Sequence, residues 1–229
     1  MTLPPGQRRL DGFPRFGTHF TRPPPALPDT PVIEVTGAGV QPFRISAPDL
    51  SDLARRDQTS DFHCVAGWSA TDLHWSGVGF ADLYRARLAP ALPPGTTVTH
   101  VSFAGLDRYR SIVAIEDALA DDVLLADQLD GQPLDSDHGA PVRLVSPSQY
   151  GFISTKHLCR IELHTREPRS RYHPSPRIQL GLELVKPHRR ARVWHEERHR
   201  YLPARVVRPV YRRLIAPIRA MSARGSRTG

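Results

Sequence analysis

Proline limits how this chain can fold more than any other residue. The 229-residue sequence carries 23 prolines, gathered toward its two ends. Proline fixes φ and removes an amide donor, so the ends are expected to be extended arms laid on a core rather than members of a long-helix bundle. Residues 1–31 read as such an arm. Phe13-Pro14-Arg15-Phe16-Gly17-Thr18-His19-Phe20 mixes aromatic with polar side chains, and Pro23-Pro24-Pro25 imposes an extended polyproline stretch. The aromatics are the natural pins to the body.

Between the arms, apolar residues fall in short runs. Val32-Ile33-Glu34-Val35-Thr36-Gly37 and Phe43-Arg44-Ile45 read as two strands, and Ala47 to Ala54 as a short helix with an early proline and acids near its start. Gly79 to Leu88 has helical spacing and stops at Pro90. Residues 97–103 alternate as a strand, 104–111 read as a loop, and 115–120 as one or two helical turns. A hairpin follows, residues 123–134 around the two-residue turn Asp130-Gly131. Strands are expected again at 142–145 and 159–163. Many short strands with a few short helices define an α+β chain with mixed or antiparallel sheets. The division expected is an arm over 1–31, a body over 32–165 and an extension over 166–229.

The net charge of +8 is unevenly spread. Residues 1–185 hold 18 Lys+Arg against 21 Asp+Glu, whereas residues 186–229 hold 13 against 2. The body is mildly acidic, and the strongly basic tail is a local device for meeting an anionic partner. Two cysteines 95 positions apart form neither a metal-finger spacing nor a disulfide framework. No apolar run approaches the ~20 residues that cross a bilayer, and the proline-rich start is not expected to be a secretory signal. A cytoplasmic location is the expectation.

The chemistry is expected at Asp61-Phe62-His63-Cys64-Val65-Ala66-Gly67-Trp68-Ser69, running on to Trp75-Ser76-Gly77-Val78. Cys64 ends a short strand, and a loop beyond it would enclose whatever the thiol faces. Taken alone, Cys64 reads as a small buried hydrophobe. Three further segments suit a buried anion. Arg143 lies mid-strand in His138-Gly139-Ala140-Pro141-Val142-Arg143-Leu144-Val145 and either snorkels from an edge or points inward at a negative charge. Gly139 would admit a ligand to the backbone. Lys156, the only lysine before residue 186, stands beside Ser154 and Thr155, a grouping of hydroxyls, amides and an ammonium that suits a phosphate. The third segment is Gly105 to Tyr109, a glycine loop with an acid and a phenol.

Taken together, residues 30–165 resemble the sulfite-oxidase-like molybdopterin-dependent oxidoreductases. The resemblance rests on His63-Cys64-Val65, Trp75-Ser76-Gly77-Val78, Asp107 with Tyr109, and Glu116 through Ala126. It continues through His138 to Val145, Tyr150-Gly151, and Lys156 with Ile161-Glu162-Leu163. It implies a molybdenum–molybdopterin cofactor with Cys64 as the metal ligand, a soft thiolate suited to a metal that already carries dithiolene sulfurs. His138, Arg143, Ser154, Thr155 and Lys156 are implied contacts to the pterin or its phosphate. Thr18 and His19 match the family's cofactor-contacting N-terminal segment, and Gly105 could offer a backbone contact only. His63, Arg108 and Tyr109 are the candidates for steering a small oxo-substrate (an S-oxide, an N-oxide or sulfite) toward the metal. Arg108 stands where many members have glycine. No Cys-x-x-Cys-His haem motif occurs, so electrons are expected to pass to or from a separate haem, flavin or iron–sulfur protein.

In the tail, Val206, Val207, Val210, Leu214, Ile215, Ile218 and Met221 share one half of a helical wheel, and Arg205, Arg208, Arg212, Arg213 and Arg219 take the other. Pro209 and Pro217 are expected to kink or interrupt this helix. It would lie on a membrane surface, dock an acidic redox partner, or rest on the body with its basic face in water. Nucleic-acid binding is not expected, because aromatics are sparse and no recognition motif appears. A cofactor-free relative acting as a scaffold through its basic tail is the alternative to the enzyme.

Overall fold

Period-two runs need partners, and here they find them in two sheets. A computed structural model describes residues 2–16, 23–168 and 186–227; Thr18 and His19 lie outside the described residues. The first sheet contains β1 (Arg8–Arg9), β4 (Arg55–His63), β5 (Trp68–Gly79), β8 (Leu124–Leu129), β9 (Gln132–Pro133) and β10 (Arg143–Val145). Its spine runs β1-β5-β8-β10, with β4 also on β5 and β9 on β8. The second sheet has the order β3-β2-β11-β6-β7, from β2 (Val32–Gly37), β3 (Phe43–Ser46), β6 (His100–Gly105), β7 (Arg110–Ala114) and β11 (Leu158–His164). Pairing is antiparallel except at β1–β5 and β2–β11.

Alternation assigns each face of the first sheet. Leu125, Leu144 and Val78 join Ile33, Val35, Phe80, Phe103, Ile161 and Leu163 in the core between the sheets. On the other face Leu124, Ala126 and Val145 join Trp68, Trp75 and Cys64, with Phe13, Phe16, Tyr211 and Ile215 partly buried against them. Arg143 is two residues from Val145, so it points to this second face. Gly77 makes the sheet close: a Cβ there would stand 2.1 Å from Leu125 O.

The short helices are locally encoded. In α1 (Ala47–Ser51) the Ser46 hydroxyl caps the first turn while Asp49 returns a bond to the Ser46 amide (2.8 Å). α2 (Phe80–Leu83) widens into a π turn over Tyr84–Leu88 and closes with a 3₁₀ turn over Ala89–Ala91, so the helical segment runs through Pro90 rather than stopping there. α3 (Ile115–Ala118) is a single turn. The hairpin at Asp130-Gly131 has φ of +52° and +76°, as a primed turn requires.

Other expectations change too. The segment beyond Cys64 is not an enclosing loop: a four-residue turn leads into the 12-residue β5, because Trp68, Ala70 and Trp75 supply a buried stripe. Of residues 104–111, 106–109 are the expected loop, and the two residues at each end belong to β6 and β7. In the tail, α4 (Ala204–Arg227) runs through Pro209 and Pro217 without a break. The carbonyls those prolines leave without an amide belong to the exposed Arg205 and Arg213, where water can satisfy them.

Candidate active site

The β4–β5 turn holds the thiol. The Cys64 amide donates to Trp68 O (2.8 Å) and the Gly67 amide to Cys64 O (2.9 Å). Gly67 has φ +98°, and a Cβ there would stand 3.0 Å from Gly6 O, so glycine is needed twice over. Two side chains pin the turn from outside: Gln7 Nε2 donates to Cys64 O (3.1 Å), and the buried Arg198 donates to Val65 O. Arg198 also meets Glu196, which accepts two bonds from Arg208 of α4. The thiol is buried, and burial pushes its pKa up to about 12. Metal ligation here would therefore displace a proton.

Three cations, Arg15, Arg143 and Lys156, line the same cavity as the thiol. Arg143 is fully buried, its guanidinium carbon 5.0 Å from the Trp75 ring centroid, 5.6 Å from Phe13 and 5.7 Å from Phe62. It donates to the carbonyls of His138 (2.9 Å) and Ser154 (3.3 Å), and among the described residues no carboxylate pairs with it. Burial lowers its pKa to about 9. A guanidinium held only by rings and carbonyls is a poised anion site. Lys156 Nζ donates to Asp137 O (2.5 Å); burial, then the charges of Arg143 and Arg15, lower its pKa to about 7. Two glycines wedge this lysine in place. A Cβ on Gly105 would come within 2.3 Å of Lys156 O, and one on Gly139 would stand 3.0 Å from Lys156 Cβ.

The shared cavity has a volume of about 310 Å³, within the size range of small-molecule sites. Cys64 and Val65 line it together with Arg15, Arg143, Ser154 and Lys156, and with Tyr109, Asp107 and His157. The Tyr109 hydroxyl donates to Phe152 O (2.5 Å), and His157 Nδ1 meets Ala140 O (2.7 Å). Ile218 of α4 closes the cavity from the tail side.

The structure thus gathers Cys64, Tyr109, Arg143, Ser154 and Lys156 around one space. Other residues named from sequence stand elsewhere. His63 is buried with Nδ1 2.8 Å from Ser69 Oγ and lines a separate surface cleft with Asp61 and Trp194, so it supports the turn rather than steering a substrate. Arg108 is exposed at the tip of the β6–β7 turn, with φ +67°, and points no charge into the cavity. His138 does not line the cavity and lies between Asp135 Oδ1 (2.8 Å) and Phe13 O (2.7 Å). Thr155 is buried against Ser111 Oγ (2.8 Å). Gly105 and Gly139 pack against Lys156 and are not among the residues lining the cavity. Sequence alone does not mark Arg15, Gln7, His157 or Arg198 as part of the site. Arg15 had a signal, an arginine between two anchoring aromatics; Arg198 had none, being one arginine in a basic tail.

Known proteins resemble this chain in sequence and in fold. Residues 19–172 match the family model described as the oxidoreductase molybdopterin binding domain. The chain is 30% identical over 191 residues to the protein-methionine-sulfoxide reductase catalytic subunit MsrP of Xanthomonas campestris, covering 75% of this chain and 58% of that one. It is 30% identical to the oxidoreductase YuiH of Bacillus subtilis (70% and 78% covered) and 32% identical to human mitochondrial sulfite oxidase (69% and 34%). The sulfane dehydrogenase SoxCD of Paracoccus pantotrophus shares the fold, with a TM-score of 0.52 at 22% identity, over 63% of this chain and 40% of that one. The chain therefore belongs to the molybdopterin-dependent oxidoreductases of the sulfite-oxidase-like family, and its cofactor is the molybdenum–molybdopterin of that family. It spans little more than half the length of the Xanthomonas relative. The residues fit the group: a thiol for the metal shares a cavity with three cations for an anionic pterin, and among the described residues one of them, Arg143, has no carboxylate partner.

Proposed function

We propose that this oxidoreductase transfers an oxygen atom to or from a small oxo-substrate of the S-oxide, N-oxide or sulfite class, exchanging two electrons per turnover with a separate haem, flavin or iron–sulfur protein. The observation that carries the reading is the single cavity lined by Cys64 together with Arg143, Lys156 and Arg15. Relatives named for methionine-sulfoxide reduction support the S-oxide arm. Two free thiols support a reducing compartment, and the cytoplasm is the proposed location.

When bound, the molybdenum cofactor supplies the two-electron oxo-transfer chemistry. The chain's own residues do the rest. Cys64 gives up its proton and offers the thiolate. Arg143, Arg15 and protonated Lys156 would hold the anionic part of the cofactor, with Ser154 beside them. Tyr109 is oriented by its bond to Phe152 O, and the aromatic rings with Ile218 keep bulk water out. Arg108 and His63 take no part in substrate contact.

The test is metal analysis of the protein from a cofactor-competent host, followed by a screen of sulfoxides, N-oxides and sulfite with artificial electron donors and acceptors. Roughly equimolar molybdenum, lost in Cys64→Ser, with turnover of one substrate class, is the expected result. A metal-free, inactive chain would make it a cofactor-free scaffold instead.

A further inference from the structure

The seven apolar tail residues that share half a helical wheel do not all face the body. In α4, Tyr211, Ile215, Ile218 and Ser222 turn inward, and Tyr211 and Ile215 lie against the cluster that holds Cys64. Tyr211 is fixed by His199 Nε2 (2.6 Å), and Arg208 by Glu196. Val206 (57% exposed), Val210 (58%) and Leu214 (41%) instead form a stripe in water at intervals of four residues, next to the exposed Pro217. Beside that stripe stand Arg205, Arg212, Arg213 and Arg219, all exposed. From residue 203 onward the chain has no Asp or Glu. No described helix is long and apolar enough to cross a membrane.

We propose that the outer face of α4 docks the protein on an anionic membrane surface, with Val206, Val210 and Leu214 entering the headgroup–acyl boundary and the arginines meeting lipid phosphates. Two features favour a bilayer over an acidic protein. The apolar stripe and the arginine stripe lie side by side along one helix about 36 Å long at 1.5 Å per residue, the pattern of an interfacial helix. The charge is of one sign over the whole face, which suits a surface of uniform charge rather than a patterned one. The docking face and the cavity wall are then opposite sides of one helix, so binding would hold the Cys64 cavity at the membrane surface. The surface is read from α4 alone and does not depend on the oxo-transfer reading.

The test is co-sedimentation of the full-length protein with phosphatidylcholine vesicles and with mixed phosphatidylcholine–phosphatidylglycerol vesicles, at low and high salt. Binding to the anionic vesicles, weakened by salt, is expected, with little binding to the neutral ones. The double variant Val210→Glu/Leu214→Glu should reduce it by roughly tenfold or more, as should Arg212→Gln/Arg213→Gln. Both pairs are exposed, so helix content by circular dichroism should match the parent chain. Failure of the parent chain to bind anionic vesicles would overturn the proposal. So would undiminished binding by the glutamate variant, which would reduce the contact to diffuse attraction of a basic tail. Molybdenum content and turnover, read separately, decide the proposed function whatever the vesicles show.

Discussion

The two walls of the cavity are built in opposite ways. The thiol wall is one continuous hairpin turn, fixed by strand pairing and by Gln7 and Arg198. The cation wall is assembled from the arm, β10 and the segment before β11; rings and carbonyls hold Arg143, a carbonyl and two glycines hold Lys156, and Arg15 pairs with Asp137 (3.6 Å). Burial moves both walls away from their ordinary ionisation, the thiol upward and the lysine downward. A site of this kind is completed by its ligand: the metal takes the thiol's proton, and the anion restores the lysine's. Contiguity gives the first wall its rigidity, and the missing counter-charge at Arg143 gives the second its affinity.

The sharpest break in that comparison is Arg143→Met. Removing a buried guanidinium is often worth ~1–4 kcal/mol of stability, against ~0.5–2 kcal/mol for a lost cation–π contact. The metal-free variant should therefore melt within about 1 kcal/mol of the parent, while cofactor retained through gel filtration falls by roughly tenfold or more. A large loss of stability with cofactor retained would mean that the arginine is structural.

Lys156 supplies the next test. Its folded pKa of about 7 lies below the ordinary 10.5, so between those values the unfolded chain holds more protons, and stability of the metal-free protein should rise with pH across that window. An anion favours the charged lysine, so inorganic pyrophosphate binding should take up a proton and weaken as pH rises through 7. Calorimetry in buffers of different ionisation enthalpy reads that uptake, and Lys156→Met should abolish it.

The thiol wall should respond less. Glu196→Gln weakens the link from Arg208 through Arg198 to Val65 O, and maleimide labelling of Cys64 in the metal-free chain should speed up by a few-fold, on the order of the local opening such a network restrains. Arg108→Ala, at an exposed turn tip, should change kcat/KM by less than about twofold; a larger loss would bring that arginine back to the substrate.

These effects follow what sequence can and cannot show. The thiol wall is local, so Cys64 and its neighbours are legible as a contiguous string, and so are the strands around Val32 and Val142 and the Asp130-Gly131 turn. The length of β5 was hidden because Trp68-Ser69 and Trp75-Ser76-Gly77 resemble loop composition until a sheet buries them. Arg143 and Lys156 could be suspected from their apolar and hydroxyl neighbours, but the cage of Phe13, Phe62 and Trp75 around Arg143 joins residues up to 130 positions apart. Arg108 and His63 misled because adjacency in sequence does not fix direction: a left-handed turn tip and a strand pleat send both side chains away from the cavity.

The central claim is that the Cys64 sulfur and the Arg143–Lys156 wall share one cofactor, and molybdenum-edge X-ray absorption tests it most directly. The protein from a cofactor-competent host should show a sulfur shell that loses one scatterer in Cys64→Ser and is unchanged in Arg108→Ala. A sulfur shell indifferent to Cys64→Ser would contradict the account.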